Sequence, residues 1–558
     1  MLGSEMSMAS AVRQVAESRR AQEALICGDV RVPYGQLLDR VSMMAWGLHR
    51  LGIGKGDKIA ILLPPGPEFV TLFFAVASLG AVIVPINPQL RQRALRGVLH
   101  DAAPMALVTL RPLGDELPRH VASLRHVIFA GEEGGSPSLA DLQAAGEAAS
   151  PFTEDVTPDD LLALLYTSGT TGAPKATMHS HRSLIAPVVA SIKLRELWIR
   201  RPSLRMLGQT AKALARYRER LLHAAGRPQT FLSTVGWHTI TGLEAMLQAL
   251  LMGDRLVVMP RFHPRQALRL VERERVTILI AVPMALQVMV GLQEREGYNT
   301  SSLLICGTGA APCPPHLARE IQQCFGCAVH IGFGATETAG GIAATSLADS
   351  EKQQAETVGR PMPGMEVKIV DEQRRELPPG QVGELACRSD SVMLGYYRAP
   401  DATAEVMDED GWYYTGDLAV MDDEGYLRIV GRRKDVIIRG GQNIYPAEIE
   451  SFLASHPKIR EAAVVGVPAP VGGESAWAFV ILEEDAAMTA RDVLDYCRTE
   501  LEPHKIPAHV RFVAEFPRSQ TGKPQKFKLR SIARHRNGRH RNGRHRNGRH
   551  RNGESEEE

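Results

Sequence analysis

Phe69-Val-Thr-Leu-Phe-Phe-Ala-Val-Ala-Ser-Leu-Gly-Ala-Val-Ile-Val-Pro-Ile86 is almost continuously apolar and, on length alone, long enough to span a bilayer. Its internal texture argues otherwise. Pro64, Pro67 and Glu68 precede it, and Leu79-Gly80 divides it into a helix-like half and a β-branched half, Ala81-Val-Ile-Val-Pro-Ile86. A buried helix, a glycine stop and a buried parallel strand account for these features together. The same alternation runs outward from here. Short apolar runs at 58–65, 106–110, 126–131 and 255–260 are separated by helix-like stretches such as Tyr34-Gly-Gln-Leu-Leu-Asp-Arg-Val-Ser-Met-Met44. That is the pattern of a mostly parallel sheet covered by helices, so the fold class is α/β.

The chain of 558 residues exceeds what one compact core sustains. Near Gly431 the texture changes to a compact stretch with its own helix (446–455) and strands (462–467 and 476–482), the size of a small α+β domain. The division expected is a large N-terminal domain of mostly parallel sheets and helices (1–430), a hinge (431–435), a small mobile α+β domain (436–530) and a tail (534–558). The tail repeats Arg-His-Arg-Asn-Gly four times before Glu-Ser-Glu-Glu-Glu and has nothing apolar to bury, so disorder is expected there.

The composition, 44% apolar and 23% charged, is that of a globular protein. The tail's eight Arg and four Glu contribute +4 to a total of +2, which leaves the body at −2 and gives no reason to expect a nucleic-acid partner. Seven cysteines are odd in number and sparse, and fit a reducing cytoplasm rather than a disulfide framework. Cys324 and Cys327 form one CxxC without the further ligands that a zinc site needs. The first twenty residues show no apolar segment followed by a cleavage site, so no secretory signal is expected.

Chemistry concentrates first in Tyr166-Thr-Ser-Gly-Thr-Thr-Gly-Ala-Pro-Lys175, which follows the apolar run 161–165. Gly169 and Gly172 let backbone N–H groups approach phosphate oxygens, Thr167, Ser168, Thr170 and Thr171 supply hydroxyls, and Lys175 adds charge. The Gly-Lys-Ser/Thr ending of a Walker A loop is absent.

This loop resembles the signature of the adenylate-forming superfamily, which includes acyl-CoA synthetases, adenylation domains of peptide synthetases and firefly-type luciferases. Further motifs in the same order extend the resemblance over most of the chain: Gly-Thr-Gly-Ala-Ala-Pro312, Gly332-Phe-Gly-Ala-Thr-Glu-Thr338, Trp412-Tyr-Tyr-Thr-Gly-Asp417, Gly431-Arg-Arg-Lys-Asp-Val-Ile-Ile-Arg-Gly-Gly441 and Pro517-Arg-Ser-Gln-Thr-Gly-Lys523. The resemblance implies ATP, Mg2+ and coenzyme A as cofactors. Gly309, Ala310 and Pro312 with Gly332, Phe333 and Gly334 would line the adenine slot, and Thr336 would sit beside the phosphates. Glu337 and Thr170 would ligate the metal, an oxygen-seeking cation. Asp417 and Arg432 would hold the ribose, a charged carboxylate being a strong acceptor for its hydroxyls. Lys434 would be the hinge, Arg439, Gly440 and Gly441 would border the CoA channel, and Lys523 would stabilise charge during adenylation. Trp237, His238 and Gly334 would form the acyl pocket, with His238 beside the acyl carboxylate. Departures from the family pattern are Phe333 for a tyrosine, Ala176 for a glycine, and one extra residue in Gly236-Trp-His-Thr-Ile-Thr-Gly242.

The resemblance implies an acid–thiol ligase: acid and ATP give acyl-AMP and pyrophosphate, and CoA then takes the acyl group. No aspartate lies in 233–243 to anchor an amino-acid substrate, and Thr239 stands where ligases of 2-hydroxyaryl acids carry asparagine. The acid expected is therefore apolar: fatty, alicyclic or simple aryl. A carrier-protein thiol as acceptor and a luciferase-like oxidation of the adenylate are the alternatives, a homodimer is an allowed assembly, and the location expected is cytoplasmic. Residues 193–227 hold ten Lys or Arg against two Glu, with leucines at helical intervals, so amphipathic helices with an anion-attracting basic face are expected.

Overall fold

The computed structural model describes residues 2–110, 121–131, 137–146, 152, 155–167, 175–200, 215–222, 224, 226–439, 442–469, 473–518 and 523–534. The repeat tail lies outside the described residues. The architecture is α/β, with a large N-terminal domain and a smaller C-terminal one.

Two large sheets form the N-terminal domain. One has seven strands, in the order Gly395–Tyr396, Lys175–Ser180, Leu161–Thr167, Val82–Pro85, Lys58–Leu62, Ala106–Thr109, His126–Phe129. The other has nine, with Glu23–Cys27, Arg255–Val258, Thr230–Ser233, Ile278–Ile280, Ile305–Thr308 and Ala328–Ala335 running parallel at its centre.

The apolar stretch at 69–86 resolves into helix Pro67–Ser78 and strand Val82–Pro85, with Gly80 in the left-handed region between them (φ +63°). Every residue from Phe69 to Ser78 is buried, because the helix packs between residues of both sheets. A helix apolar all round belongs in such a two-sided setting, and its Phe69, Phe73 and Phe74 each contribute about 1.5–3 kcal/mol through burial. Among the described residues no helix is long and apolar enough to cross a membrane.

A four-stranded antiparallel sheet follows, Glu366–Val370, Gly383–Arg388, Tyr413–Met421 and Leu427–Arg432. The turn Arg433–Asp435 then leads to the hairpin Ile437–Arg439/Gln442–Ile444, helix Pro446–Ala454, and a sheet of Ile459–Pro468, Glu474–Leu482 and His509–Phe512. Ile437, Ile444, Ile449, Leu453, Val464 and Val480 close a separate core in this second unit.

The basic segment departs from its expected form. Within the described part, residues 215–222 are helical. Tyr217 and Leu221 pack on Leu304 and Ala328. Arg220 turns inward and donates to the carbonyls of Thr300 (3.1 Å), Leu303 and Phe325 (2.9 Å). Phe325 ends helix Pro315–Phe325, whose last carbonyls need donors. Arg216 is paired with Glu351. Of the arginines at 216, 218 and 220, two are thus spent on holding the segment down, and a free basic face built on all three is not what forms.

Candidate active site

A cleft of about 2950 Å³ runs between the two domains, lined by Lys175, His238, Gly309, Phe333, Glu337 and Asp417 from the larger domain and by Lys523 from the smaller.

Its nucleotide side is built on two parallel strand ends. Gly309 follows strand Ile305–Thr308, and a Cβ there would stand 2.7 Å from the Gly332 carbonyl, so only glycine lets the two walls approach. Ala310 adopts φ +62°, a strained conformation for a residue with a side chain. The strand Ala328–Ala335 runs through this motif, so Gly332, Phe333 and Gly334 lie on it rather than on a loop. A Cβ at Gly334 would meet the Gly340 carbonyl at 2.0 Å. Phe333 is half-buried, its ring backed by the cluster around Ile342 and Met365. Ala310, Pro312, Gly332, Phe333, Gly334 and Thr336 all line the cleft.

The tight turn Thr336–Thr338 presents Glu337, locked by Thr338 Oγ1, which donates to the Gly340 carbonyl at 2.8 Å and accepts from Ala335 N at 3.2 Å. Tyr396 Oη donates to Glu337 Oε1 at 2.7 Å, and Lys175 Nζ stands 5.2 Å from the Tyr396 ring centroid. Burial and then the Glu337 charge push the Tyr396 phenol well up, so it stays a donor. Sequence reasoning missed Tyr396. It reaches the site because Gly395–Tyr396 pairs with the strand that starts at Lys175. Ser168, Gly169, Thr170, Thr171 and Gly172, and with them the second expected metal ligand, lie outside the described residues, as does the side chain of Thr167.

Asp417 and Arg432 are direct cross-strand partners in register. Arg432 Nε lies 2.8 Å from Asp417 Oδ1 and its Nη2 lies 3.5 Å from Oδ2, with Asp417 only 7% exposed. Burial raises the Asp417 carboxyl, while Arg432, then Lys523 and Lys434, pull it down. Lys523 comes from the smaller domain and is close enough to Asp417 and Glu337 to feel both charges. Although water reaches its side chain through the open cleft, desolvation by the surrounding protein and then the Arg432 charge lower its ammonium pKa. Lys434 is lowered by burial and by Arg432. Arg432, Lys434 and Lys523 thus gather about the buried Asp417 carboxylate, with Glu337 and the Arg530–Asp435 pair beside them.

His238 lines the cleft, and burial pushes its imidazole down to about 4, so it is neutral at pH 7. A Cβ on Gly236 would stand 2.5 Å from the His238 ring, so that glycine is what lets the ring lie where it does. Trp237, expected in the acyl pocket, is instead a core residue, 2% exposed and edge-on to Phe69 at 5.4 Å. Trp237 and His238, adjacent in the turn before helix Ile240–Leu251, point to opposite sides, and of the two it is His238 that faces the cleft. Arg439 is also not brought to the cleft. Its Nη1 donates to the carbonyls of His504 and Ile506 (both 3.2 Å), inside the smaller domain. Gly440 and Gly441 lie outside the described residues.

Strand ends that converge on a cleft holding a buried carboxylate–arginine pair, with a lysine delivered by a second domain, are the arrangement of an adenylate-forming ligase. Residues 12–397 match the AMP-binding enzyme family and 448–523 match the AMP-binding enzyme C-terminal domain. The chain belongs to the AMP-binding enzyme family. It is 33% identical over 502 residues to the long-chain-fatty-acid–CoA ligase FadD13 of Mycobacterium tuberculosis (90% of this chain, 93% of the relative). Against the medium-chain fatty-acid–CoA ligase of Escherichia coli the identity is 32% over 509 residues (89% and 85%). The ATP-bound structure of MatB from Rhodopseudomonas palustris superposes with a TM-score of 0.80 at 27% identity (94% and 98%).

Proposed function

We propose that this enzyme activates a carboxylic acid with ATP as an acyl-adenylate and then transfers the acyl group to coenzyme A. The observation that carries the reading is the convergence of Lys523, Arg432 and Lys434 on Asp417, within range of Glu337. In the first step a carboxylate oxygen attacks the α-phosphorus and pyrophosphate leaves. Two anions approach there, and Lys523 offsets the charge that builds between them. In the second, the CoA sulfur attacks the acyl carbon and AMP leaves. Asp417 and Arg432 orient the ribose, Phe333 stacks on the adenine, and neutral His238 borders the reacting carboxylate.

Glu337 suits Mg2+. Its carboxylate is oriented by Tyr396, and among the described residues no cluster of three or more potential metal ligands forms. A single protein carboxylate completed by phosphate oxygens and water is the usual Mg2+ arrangement. When bound, the ion neutralises phosphate charge.

The small domain carries Lys523, and it also carries Gly440 and Gly441, which serve CoA in the second step after a turn about Lys434, whereas Arg439 is held by the His504 and Ile506 carbonyls. The acid is fatty, alicyclic or aryl, which fits the fatty-acid ligases among the relatives. A cytoplasmic location fits seven cysteines that are all free. The test is acid-dependent pyrophosphate release from ATP, without and with CoA, over fatty acids and aryl acids of graded size. No acid-dependent release from any of them would refute the reading.

A further inference from the structure

The acid-binding part of the cleft contains a carboxyl group that the two-step chemistry does not use. Glu244 lies on helix Ile240–Leu251, two turns beyond His238, and both line the cleft. Its carboxyl is set against glycine backbone. A Cβ at Gly340 would stand 2.3 Å from Glu244 Oε2, and that glycine holds φ +128°. The Gly341 N–H bonds to the carboxyl, Gln248 Nε2 donates to Oε1 at 3.1 Å, and the same amide reaches Ser191 Oγ at 3.2 Å. Ser191 and Gln248 line the cleft as well. Glu244, Gln248 and Ser191 therefore form a linked polar group inside a pocket otherwise suited to a hydrocarbon chain.

Among the described residues Glu244 has no ion-pair partner, and Arg195, which also lines the cleft, is paired with Asp254 at 3.2 Å. A carboxyl buried without a cation prefers its neutral form, and burial pushes Glu244 up to about 7. The neutral carboxyl keeps one O–H to donate and needs an oxygen to receive it. A substrate ammonium is the poorer partner, because both charges would have to be desolvated together.

Resting on the acid–CoA ligase reading above, we propose that Glu244, with Gln248 and Ser191, selects an acid whose chain bears a neutral oxygen substituent, a hydroxyl or keto group. A plain hydrocarbon acid offers nothing to the hydrogen-bonding capacity this group has left, and a site built to pair with a substrate hydroxyl discriminates strongly against the analogue lacking it.

The test compares matched pairs, C6 to C12 fatty acids against their hydroxy and keto derivatives at successive chain positions, for acid-dependent pyrophosphate release by the full chain. Wild type should favour one oxygenated position over the parent acid by about tenfold or more in kcat/KM. Glu244→Leu should bring that ratio to one or below, while Glu244→Gln, which keeps donor and acceptor atoms, should retain most of it. Thermal melts of both variants establish that they are folded. Equal ratios in wild type and Glu244→Leu, or a preference for amino-substituted acids, would overturn the proposal. Release with plain acids alone would sink this inference and leave the ligase reading standing, whereas no release with any acid would sink the ligase reading.

Discussion

Neighbouring residues in one motif can have unrelated jobs, and Trp237 and His238 show why a motif does not say which is which. The pattern identified the segment, but the face each side chain takes depends on how the turn enters helix Ile240–Leu251. Trp237→Ala is expected to cost about 3–5 kcal/mol of stability, as loss of a buried aromatic does, and to leave the ranking of acids by chain length unchanged. Urea unfolding and a chain-length series check the two halves. A changed ranking with unaltered stability would return Trp237 to the pocket. That Asp417, Arg432, Glu337 and Lys523 belong to one site was legible from their motifs, and the fold does bring them to one cleft. Glu244 was not, since the sequence around it reads as an ordinary amphipathic helix and only the fold sets its carboxyl against Gly340. For Lys523→Ala we expect adenylation to slow by about 2.7–4 kcal/mol in activation free energy, by analogy with deleting one preorganised donor. Thioester formation from supplied acyl-AMP should suffer much less, and equal loss in both half-reactions would point to a role in folding or shared binding.

Secondary elements were readable wherever one period dominates. The fully apolar helix at 67–78, the parallel strands and the small domain's helix at 446–454 follow from spacing and stop signals, with ends displaced by a few residues. The extension of Ala328–Ala335 was hidden because glycine-rich sequence reads as loop, whereas pairing with Gly340–Ala344 holds it extended. The helix at 215–222 was expected, but the inward turn of Arg220 was hidden for a different reason, since charge counts do not reveal which arginines face carbonyls. Arg220 bonds across to Phe325, and a Cβ at Gly326 would stand 2.6 Å from its Nη2. Arg220→Ala should therefore destabilise the protein by about 1.5–3 kcal/mol, the range for a hydrogen bond to a charged group, with little change in kcat. The turn Arg433–Asp435 is braced on both sides, by Arg433 to Glu384 (2.9 Å) and by Arg530 to Asp435 (2.8 Å). Lys434→Pro, which fixes one backbone angle, should spare adenylation and slow acyl transfer. Equal slowing of both half-reactions would show that no turn about this residue separates them.

At the scale of the whole molecule, the buried titratable groups set how stability responds to pH, and they pull in opposite directions. Burial pushes His179, His181 and His238 down to about 4, and lowers His330 as well. Below the unfolded value of 6.5 the unfolded chain takes up protons that the native one refuses, so this contribution is complete above pH 6.5 and is lost as pH falls towards 4. Glu244 and Asp254 act in the reverse sense. Burial raises them to about 7 and about 6, so between their unfolded values and these the native state holds protons that the unfolded chain has released, and stability falls as pH rises. Each group changes stability by about 1.4 kcal/mol per pH unit within its window. Near pH 5, three histidines with printed values oppose two carboxyls, and the melting temperature should rise with pH. Between 6.5 and 7 the unfolded chain's histidines are still partly protonated while Glu244 is the one carboxyl of the two still releasing its native proton, so the rise should flatten. Glu244→Gln removes that one opposing contribution, so its melting temperature should climb more steeply than that of wild type from pH 5 to 7. Superimposable pH profiles for wild type and Glu244→Gln would mean that the carboxyl is not held neutral inside the cleft.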